Sequence, residues 1–203
     1  MPLADTTTRA PRVRAKKQDN TETKFHQNKG IKLATGVVVG TLNADDRLAD
    51  SDVIQAIAQA FTQTGTDIIY GNLNVIKPGG NISRKWVSNQ CRKNSFNWGF
   101  MPPHPTFYCR TELFEKFGFY KLDYGSAADY ELLLRFMYAQ HVSSFYINKV
   151  LVNMLAGGVS NRSLKNRLNA WRFDLKAMRV NGIKMPILAL VFKPLRKVRQ
   201  FFR

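Results

Sequence analysis

The chain has 203 residues, of which 44% are apolar and 12% are aromatic. A chain of this length and composition can bury the core of one ordinary domain, so disorder of the whole chain is excluded. Two cysteines are too few for a disulfide scaffold, and no apolar run reaches the ~20 residues that would span a bilayer.

The net charge of +17 is concentrated toward the ends of the chain. Residues 31–160 hold 12 Lys/Arg and 10 Asp/Glu, whereas residues 161–203 hold 12 Lys/Arg and a single acidic residue, Asp174. The middle therefore carries +2 and the C-terminal part carries +11. A basic segment interleaved with apolar residues favours an anionic surface as its partner.

The first half of the chain predicts a strand–helix–strand unit. Residues 1–23 lack apolar periodicity and are interpreted as a disordered basic arm, and the last turns of a helix are predicted over 28–34. The β-branched run over 37–42 predicts a buried parallel strand. A helix capped by Ser51 follows, and a second strand is predicted over 66–75. Strand, helix and strand within about forty residues favour an α/β fold.

The second half adds further helices and short strands. We predict an irregular aromatic loop over 84–103, a short helix capped by Thr111, a helix over 127–140, strands over 142–147 and 150–155, and a basic amphipathic helix over 161–180. In its plainest interpretation, the last of these helices packs Leu164, Leu168 and Trp171 on the domain. The segment over 185–203 places a short apolar run beside basic residues, which predicts a helix lying on an anionic membrane.

Three polar positions are candidates for chemistry. Asp45 and Asp46 follow the first predicted strand, where ligands of open α/β sheets bind, and two adjacent carboxylates can hold a hard divalent cation. Taken alone, they are more typical of a turn or of the segment that leads into a helix. Asp129 begins a helix whose inner face is apolar. Taken alone, it is typical of an acidic residue that caps the N-terminus of a helix or interacts favourably with the helix dipole. His104 lies between two prolines in a loop.

The order of short motifs along the chain is more specific than any one of them. The chain contains, in this order, Asn43-Ala44-Asp45-Asp46, Tyr70-Gly71-Asn72, His104-Pro105-Thr106-Phe107-Tyr108, Ala127-Ala128-Asp129-Tyr130-Glu131-Leu132 and Gly157-Gly158-Val159-Ser160. This set resembles the family 2 inverting glycosyltransferases of GT-A fold that build bacterial surface polysaccharides. The resemblance covers roughly residues 25–160.

The resemblance implies a role for each motif. Asn43-Ala44-Asp45 stands where the family has Asp-x-Asp, so Asp45 with Asp46 would hold Mg²⁺ or Mn²⁺ and the diphosphate of a nucleotide-sugar donor. Asp129 matches the catalytic base, and Ala128 leaves it without a second carboxylate. His104 matches a donor-side position. The loop residues Gly157, Gly158 and Ser160 match positions beside the acceptor, which would be a lipid-linked or saccharide alcohol.

The resemblance also implies a division of the chain and a location. Residues 1–23 form the arm, 24–160 a partial GT-A (Rossmann-like) sheet with flanking helices, and 161–203 a tail of basic amphipathic helices. Family members begin with a further strand–helix–strand portion that cradles the nucleotide, and the sequence before residue 25 does not match it. We therefore expect a truncated or split transferase that would need another chain to supply this portion for activity. The basic tail would place it in the cytoplasm, on the inner face of the plasma membrane.

Two other functions remain open at this stage. A nucleic-acid-binding protein would use the net charge and the aromatic residues Trp86, Trp98 and Phe100, which lie among basic residues. It would not account for the acidic pair behind a strand, so no nucleic-acid partner is expected. A non-catalytic, membrane-associated protein is the other alternative, and it would not depend on Asp129.

Overall fold

The described residues, 20–156 and 164–198 of a computed structural model, form helices on both faces of a mixed sheet. The predicted acceptor-loop residues Gly157, Gly158 and Ser160 lie outside the described residues. So do most of the predicted basic arm and the last five residues of the tail. Helix α1 begins at Asn20, within the predicted arm.

Six strands make up the sheet in the described part of the chain. They are β1 (Val38–Gly40), β2 (Arg47–Leu48), β3 (Ile68–Ile76), β4 (Ile82–Trp86), β5 (Tyr108–Arg110) and β6 (Ser144–Leu155). The order is β1-β5-β3-β6-β2, and β4 pairs with β3 beside β5. Strand β3 is central, because it pairs in parallel with β6 on one side and antiparallel with β4 and β5 on the other.

The helices divide between two hydrophobic cores. They are α1 (Asn20–Leu33), α2 (Val53–Thr64), α3 (Glu112–Phe117), α4 (Ala128–Leu133), α5 (Leu164–Val180) and α6 (Pro186–Val198). Strand β3 contributes Ile69 and Leu73 to the core beneath α2, and Ile68 and Tyr70 to the core shared by α3 to α6. Alternate side chains of a strand point to opposite faces, so β3 is buried on both.

Strand β1 differs from its prediction in direction and burial. The run over 37–42 was expected to form a buried parallel strand, but β1 pairs antiparallel with β5. Val37 is 72% exposed and Leu42 is 45% exposed. Because β1 has one strand neighbour among the described residues, its β-branched side chains are covered by less of the sheet than those of β3.

Several other boundaries also differ. Strand β6 is one strand where two were predicted, and its pairing with β3 slips between Tyr70 and Asn72, opposite the predicted gap. The predicted loop over 84–103 begins with the end of β4. Asp52, rather than Ser51, precedes α2 as the cap residue.

Helix α4 continues into a π-helical turn over Leu134–Ala139 and carries a buried ion pair. Glu131 is fully buried, and Arg135 donates to it at 2.9 Å. Arg135 also donates to the carbonyl oxygens of Phe117, Gly118 and Phe119, which anchors the loop after α3. This network fixes the first turn of α4, where Asp129 lies.

The C-terminal helices pack less completely than the plainest interpretation of the sequence predicts. Met178 of α5 is buried, but Leu168 is 58% exposed and Trp171 is 47% exposed. Only part of the predicted apolar stripe therefore packs on the domain. Buried Lys193 joins α6 to α5 by an ion pair with Asp174 at 2.7 Å. Among the residues described, no helix has the length and apolar character needed to cross a bilayer.

Candidate functional site

Four segments that are distant in sequence converge near the N-terminus of α4. Asp129 is in the first turn of α4, and His104 begins a short 3₁₀ turn before β5. The loop after β1 carries Asn43 and Asp46. Helix α1 lies against these segments through the side chains of its inner face. The structure therefore brings together four of the residues predicted for the site, and α1 joins them.

Asp129 is held between two cationic or polar groups. Its Oδ1 pairs with the ammonium of Lys24, and its Oδ2 lies 3.9 Å from His104 Nε2. Burial acts to raise the pKa of Asp129, but His104 and Lys24 together outweigh it and lower the pKa below the ordinary value. The side chain is 16% exposed. Asp129 is therefore an ionised carboxylate at neutral pH, and Lys24 is paired with only one of its two oxygens.

A line of hydrogen bonds joins Asp129 to Asp46. Lys24 Nζ donates to Gln27 Oε1 at 2.8 Å, and Gln27 Nε2 donates to Asn43 Oδ1 at 3.3 Å. Asn43 Nδ2 then donates to Asp46 Oδ2 at 2.9 Å. The loop carboxylate and the α4 carboxylate thus belong to one network, which passes through two residues of α1.

Asp46 and Asp45 differ in their surroundings. Asp46 is 9% exposed, and burial raises its pKa although the hydrogen bond from Asn43 offsets part of this effect. Its Oδ1 is buried and has no hydrogen-bond partner among the described residues. Asp45 is exposed. An unpartnered buried carboxylate oxygen beside a second carboxylate is suited to receive a cation.

The donor set fits a cation that a ligand helps to hold. Within the part of the chain that the structure describes, no group of three or more His, Cys, Asp or Glu side chains could hold a metal ion. Mg²⁺ in nucleotide sites is typically bound by one or two carboxylates, and phosphate oxygens and water complete its coordination. Asp45 and Asp46 match such a two-carboxylate site.

His104 is a neutral imidazole in this setting. Burial lowers its pKa, and the positive charges of Lys24, Lys197 and Lys193 lower it further, against the opposing effect of Asp129. Its Nδ1 is buried without a hydrogen-bond partner among the described residues. A neutral imidazole leaves Asp129 Oδ2 accessible to another proton donor.

Sequence reasoning missed Lys24 and Gln27, because the helix was expected to begin later. The spacing of Lys24, Gln27, Asn28 and Ile31 is that of one helix face. Asn28 docks this face by bonding both the amide and the carbonyl of Tyr120, at 2.9 and 2.8 Å. The ammonium of Lys24 also lies 4.5 Å from the centre of the Tyr120 ring. The helical spacing of these polar residues with Ile31 was the feature of the sequence that could have indicated an earlier start of α1.

Comparisons with known proteins identify what this arrangement resembles. Residues 10–120 match the model of the family described as "Glycosyl transferase family 2". Among solved structures, the chain is similar to S. aureus TarS 1-349 in complex with UDP, with 12% sequence identity and a TM-score of 0.54. This similarity covers 87% of the chain and 52% of that structure. No curated protein matches the chain.

A second structure, of S. aureus TarS, gives 12% identity and a TM-score of 0.52, and covers 87% of this chain and 30% of that one. The chain thus spans about half the length of the first structure and less than a third of the second. At this identity the similarity shows the fold, and it confirms the predicted α/β architecture of GT-A type.

Proposed function

The chain belongs to glycosyl transferase family 2, whose model matches more than half of its residues, and on that basis we propose an inverting sugar transfer. The donor is a nucleotide sugar, and the acceptor is the hydroxyl of a lipid-linked or saccharide molecule in surface polysaccharide assembly. The observation that carries this proposal is the network from Asp46 to Asp129, since it holds a cation-binding carboxylate and a base around one site.

The proposed reaction is a single displacement at the anomeric carbon. The acceptor oxygen attacks from the face opposite the diphosphate, the new C–O bond forms, and the bond to the diphosphate oxygen breaks. Asp129 accepts the hydroxyl proton through Oδ2, while Lys24 holds Oδ1. Asp129 needs no raised pKa, because the hydroxyl becomes acidic only as the new bond forms.

Asp45 and Asp46 would hold Mg²⁺ or Mn²⁺, which would neutralise charge on the departing nucleoside diphosphate. Asn43 orients Asp46 by donating to Oδ2, and this leaves Oδ1 as the oxygen that would bind the cation. Gln27 in turn fixes Asn43. His104 lies near Asp129, and as a neutral polar ring it would contribute to the donor side of the proposed site. The match to a structure that contains UDP supports uridine nucleotides as the first donors to test.

The test compares Asp129→Asn with a matched carboxylate variant in a transfer assay. UDP-sugars with Mn²⁺ and a panel of acceptors are the substrates, and released UDP is the readout. We expect Asp129→Asn to lower the rate by about 10²–10⁴-fold, because the amide cannot take the proton. Asp123→Asn is the control, since Asp123 is an exposed residue paired with Lys176. Equal rates for Asp129→Asn and the parent chain would contradict the assignment.

We further propose that α6 lies on an anionic membrane surface. Its Ile187, Val191 and Leu195 are 67%, 53% and 54% exposed, and their spacing places them on one side of the helix. The same helix carries the basic residues Arg196 and Lys197. An exposed apolar stripe on a basic helix is typical of a helix that enters the lipid headgroup region. This arrangement would hold the site at the inner face of the plasma membrane, near a lipid-linked acceptor.

A further inference from the structure

A basic cavity lies between α6 and the chain that follows β4. It has a volume of about 570 Å³. The lining residues that matter here are Lys85, Trp86, Phe100, Lys193, Arg196 and Lys197. Gly99 permits the close approach of the two walls, because a Cβ at this position would lie 2.4 Å from the backbone nitrogen of Lys193. The cavity is therefore built by the packing of α6 on the domain.

The charge of this cavity is largely uncompensated. Four of its lining side chains are cationic, and no carboxylate lines it among the residues described. Lys193 is paired with Asp174, whereas the described part of the chain offers no ion-pair partner to Lys85, Arg196 or Lys197. Burial lowers the pKa of Lys197 to about 8, and the positive charges of Lys193 and Arg84 act in the same direction. A neighbouring anion would relieve this repulsion.

The aromatic rings form the floor of the cavity rather than a binding platform. Trp86 is 7% exposed and Phe100 is 2% exposed. Lys197 Nζ lies 5.9 Å from the centre of the Trp86 ring, and the guanidinium of Arg196 lies 5.7 Å from that of Phe100. Stacking of nucleic-acid bases requires open ring faces, so this arrangement favours a compact anion over a single-stranded nucleic acid.

Two of the cavity lysines connect it to the surroundings of the proposed base. Lys193 Nζ lies 3.5 Å from the centre of the Tyr130 ring, and Tyr130 follows Asp129 in α4. Both Lys193 and Lys197 act on the pKa of His104, whose Nε2 is 3.9 Å from Asp129 Oδ2. An anion seated among these lysines would therefore be linked to the surroundings of Asp129 through Lys193 and Lys197, on a different set of residues from Asp45 and Asp46.

We propose that this cavity binds the phosphate or diphosphate group of a phosphorylated acceptor. This inference deepens the proposed transferase function. The binding of an anion does not depend on that function, but the identification of the anion as part of an acceptor does. The two anion sites differ in chemistry: Asp45 and Asp46 need a cation to attract a diphosphate, whereas the cavity lysines and Arg196 attract a phosphate directly. The acceptor's phosphate would anchor it, and its hydroxyl would then reach Asp129.

The test measures anion binding without donor, metal or turnover. Inorganic pyrophosphate is titrated into the full chain by calorimetry in the presence of EDTA. We expect binding that weakens about tenfold or more in Lys85→Gln and in Lys197→Gln, with recovery in Lys197→Arg. Lys116→Gln is the matched control, because Lys116 is an exposed lysine on α3. Asp45→Asn should also leave this binding unchanged.

Each alternative gives a distinct result. Binding lost in Asp45→Asn, or unchanged in Lys85→Gln and Lys197→Gln, would overturn the cavity assignment. Tighter binding of a single-stranded oligonucleotide than of pyrophosphate would favour nucleic acid and overturn it too. Binding to phosphatidylglycerol vesicles without binding to pyrophosphate would assign the cations to lipid headgroups instead. Pyrophosphate binding with no sugar transfer under any condition would refute the transferase while leaving the anion site intact.

Discussion

Asp129 shows how a buried carboxylate stays ionised beside a single lysine. Its desolvation is opposed by His104 and Lys24, and the net result is a lowered pKa. Lys24 is itself 6% exposed, so neither partner of the pair is compensated by bulk water. Removing one partner of a buried ion pair leaves the other charge buried without compensation, which is strongly destabilising. We therefore propose Lys24 as a positioning residue for the carboxylate rather than a group that touches substrate.

Substitution of Lys24 should change the pH dependence of transfer. A general base works when deprotonated, so the rate falls as the pH drops through its pKa. In Lys24→Gln, burial again raises the pKa of Asp129 with less opposition, and the acid limb of the pH–rate profile should move to higher pH. Lys29→Gln, an exposed residue of the same helix, should leave the profile in place. Superimposable profiles for Lys24→Gln and the parent would show that Lys24 does not tune the base.

Lys197 gives anion binding a different pH dependence. A lysine is charged below its pKa, which for Lys197 is lowered to about 8 by burial, Lys193 and Arg84, against the attraction of Asp174. Sulfate affinity should therefore be full near pH 6 and fall as the pH rises through about 8. Sulfate is the appropriate probe, because it remains a dianion over this range, unlike a phosphate monoester, whose second pKa is near 6.

Lys197→Arg serves as the comparison for this titration, since a guanidinium stays charged throughout. Its sulfate affinity should vary little between pH 6 and 9. If the parent and Lys197→Arg lose affinity in parallel, the titrating group is elsewhere and Lys197 does not hold the anion.

At the scale of elements, the contact between α6 and the turn before Met101 builds the cavity. Gly99 has a φ of 68°, and an added Cβ would lie 2.4 Å from Lys193 N and 2.7 Å from the carbonyl carbon of Phe192. These are backbone atoms of α6, so they can give way only if the helix moves. Gly99 therefore serves two purposes, a left-handed turn and a close approach of main chains.

Gly99→Ala should separate α6 from the domain. Left-handed strain alone costs about 1–3 kcal/mol, and the melting temperature of a chain of this size falls by about 2–4 °C per kcal/mol. Pyrophosphate binding should weaken as well, because three of the cavity cations lie on α6. Gly79→Ala is the control, since a Cβ there meets no atom within 4 Å. A melting temperature and an affinity equal to those of the control would contradict this role.

The elements also show which patterns in the sequence were sufficient. Strand β3 and helix α4 were predicted near their observed positions, because their apolar residues are buried and periodicity reports burial. Strand β1 was predicted to be parallel and buried from the same kind of apolar run, yet the direction of its partner depends on β5, about seventy residues later. Local pattern carries no information about such a partner. The ion pair of Glu131 with Arg135 was missed because buried charges break the apolar pattern.

The site residues were predicted from the order of short motifs along the chain. The structure adds the hydrogen bonds that join these residues to one another. Asn43 lies beside Asp46, and His104 lies beside Asp129. The connection runs through Lys24 and Gln27, which lie before the first motif and were not predicted. Their roles in transfer remain proposals. The cavity cations were recognised only as part of a charged tail, since their convergence with Lys85 requires the folded chain.

The distribution of charge and exposed apolar surface predicts how the molecule meets a membrane. Burying one exposed apolar side chain of α6 contributes about 1.5–3 kcal/mol, and each basic residue near an anionic leaflet adds about 1 kcal/mol. Both contributions act on the same helix, so binding should need anionic lipid and weaken with salt. Co-sedimentation with phosphatidylglycerol vesicles and with neutral phosphatidylcholine vesicles measures this directly.

The variant that tests the helix carries Ile187→Glu and Val191→Glu, which place two charges on the exposed side of α6 away from the cavity lining. Co-sedimentation should be lost, because each carboxylate replaces buried apolar area and repels the anionic leaflet. Ile54→Glu is matched in chemistry, since Ile54 is 55% exposed on α2, and it should bind vesicles like the parent. If Ile54→Glu loses as much binding as the α6 variant, the effect is a general one of added negative charge. If the parent binds neutral vesicles as well as anionic ones, the basic residues do not contribute to membrane binding. Only loss confined to the α6 variant would place this helix at the lipid surface.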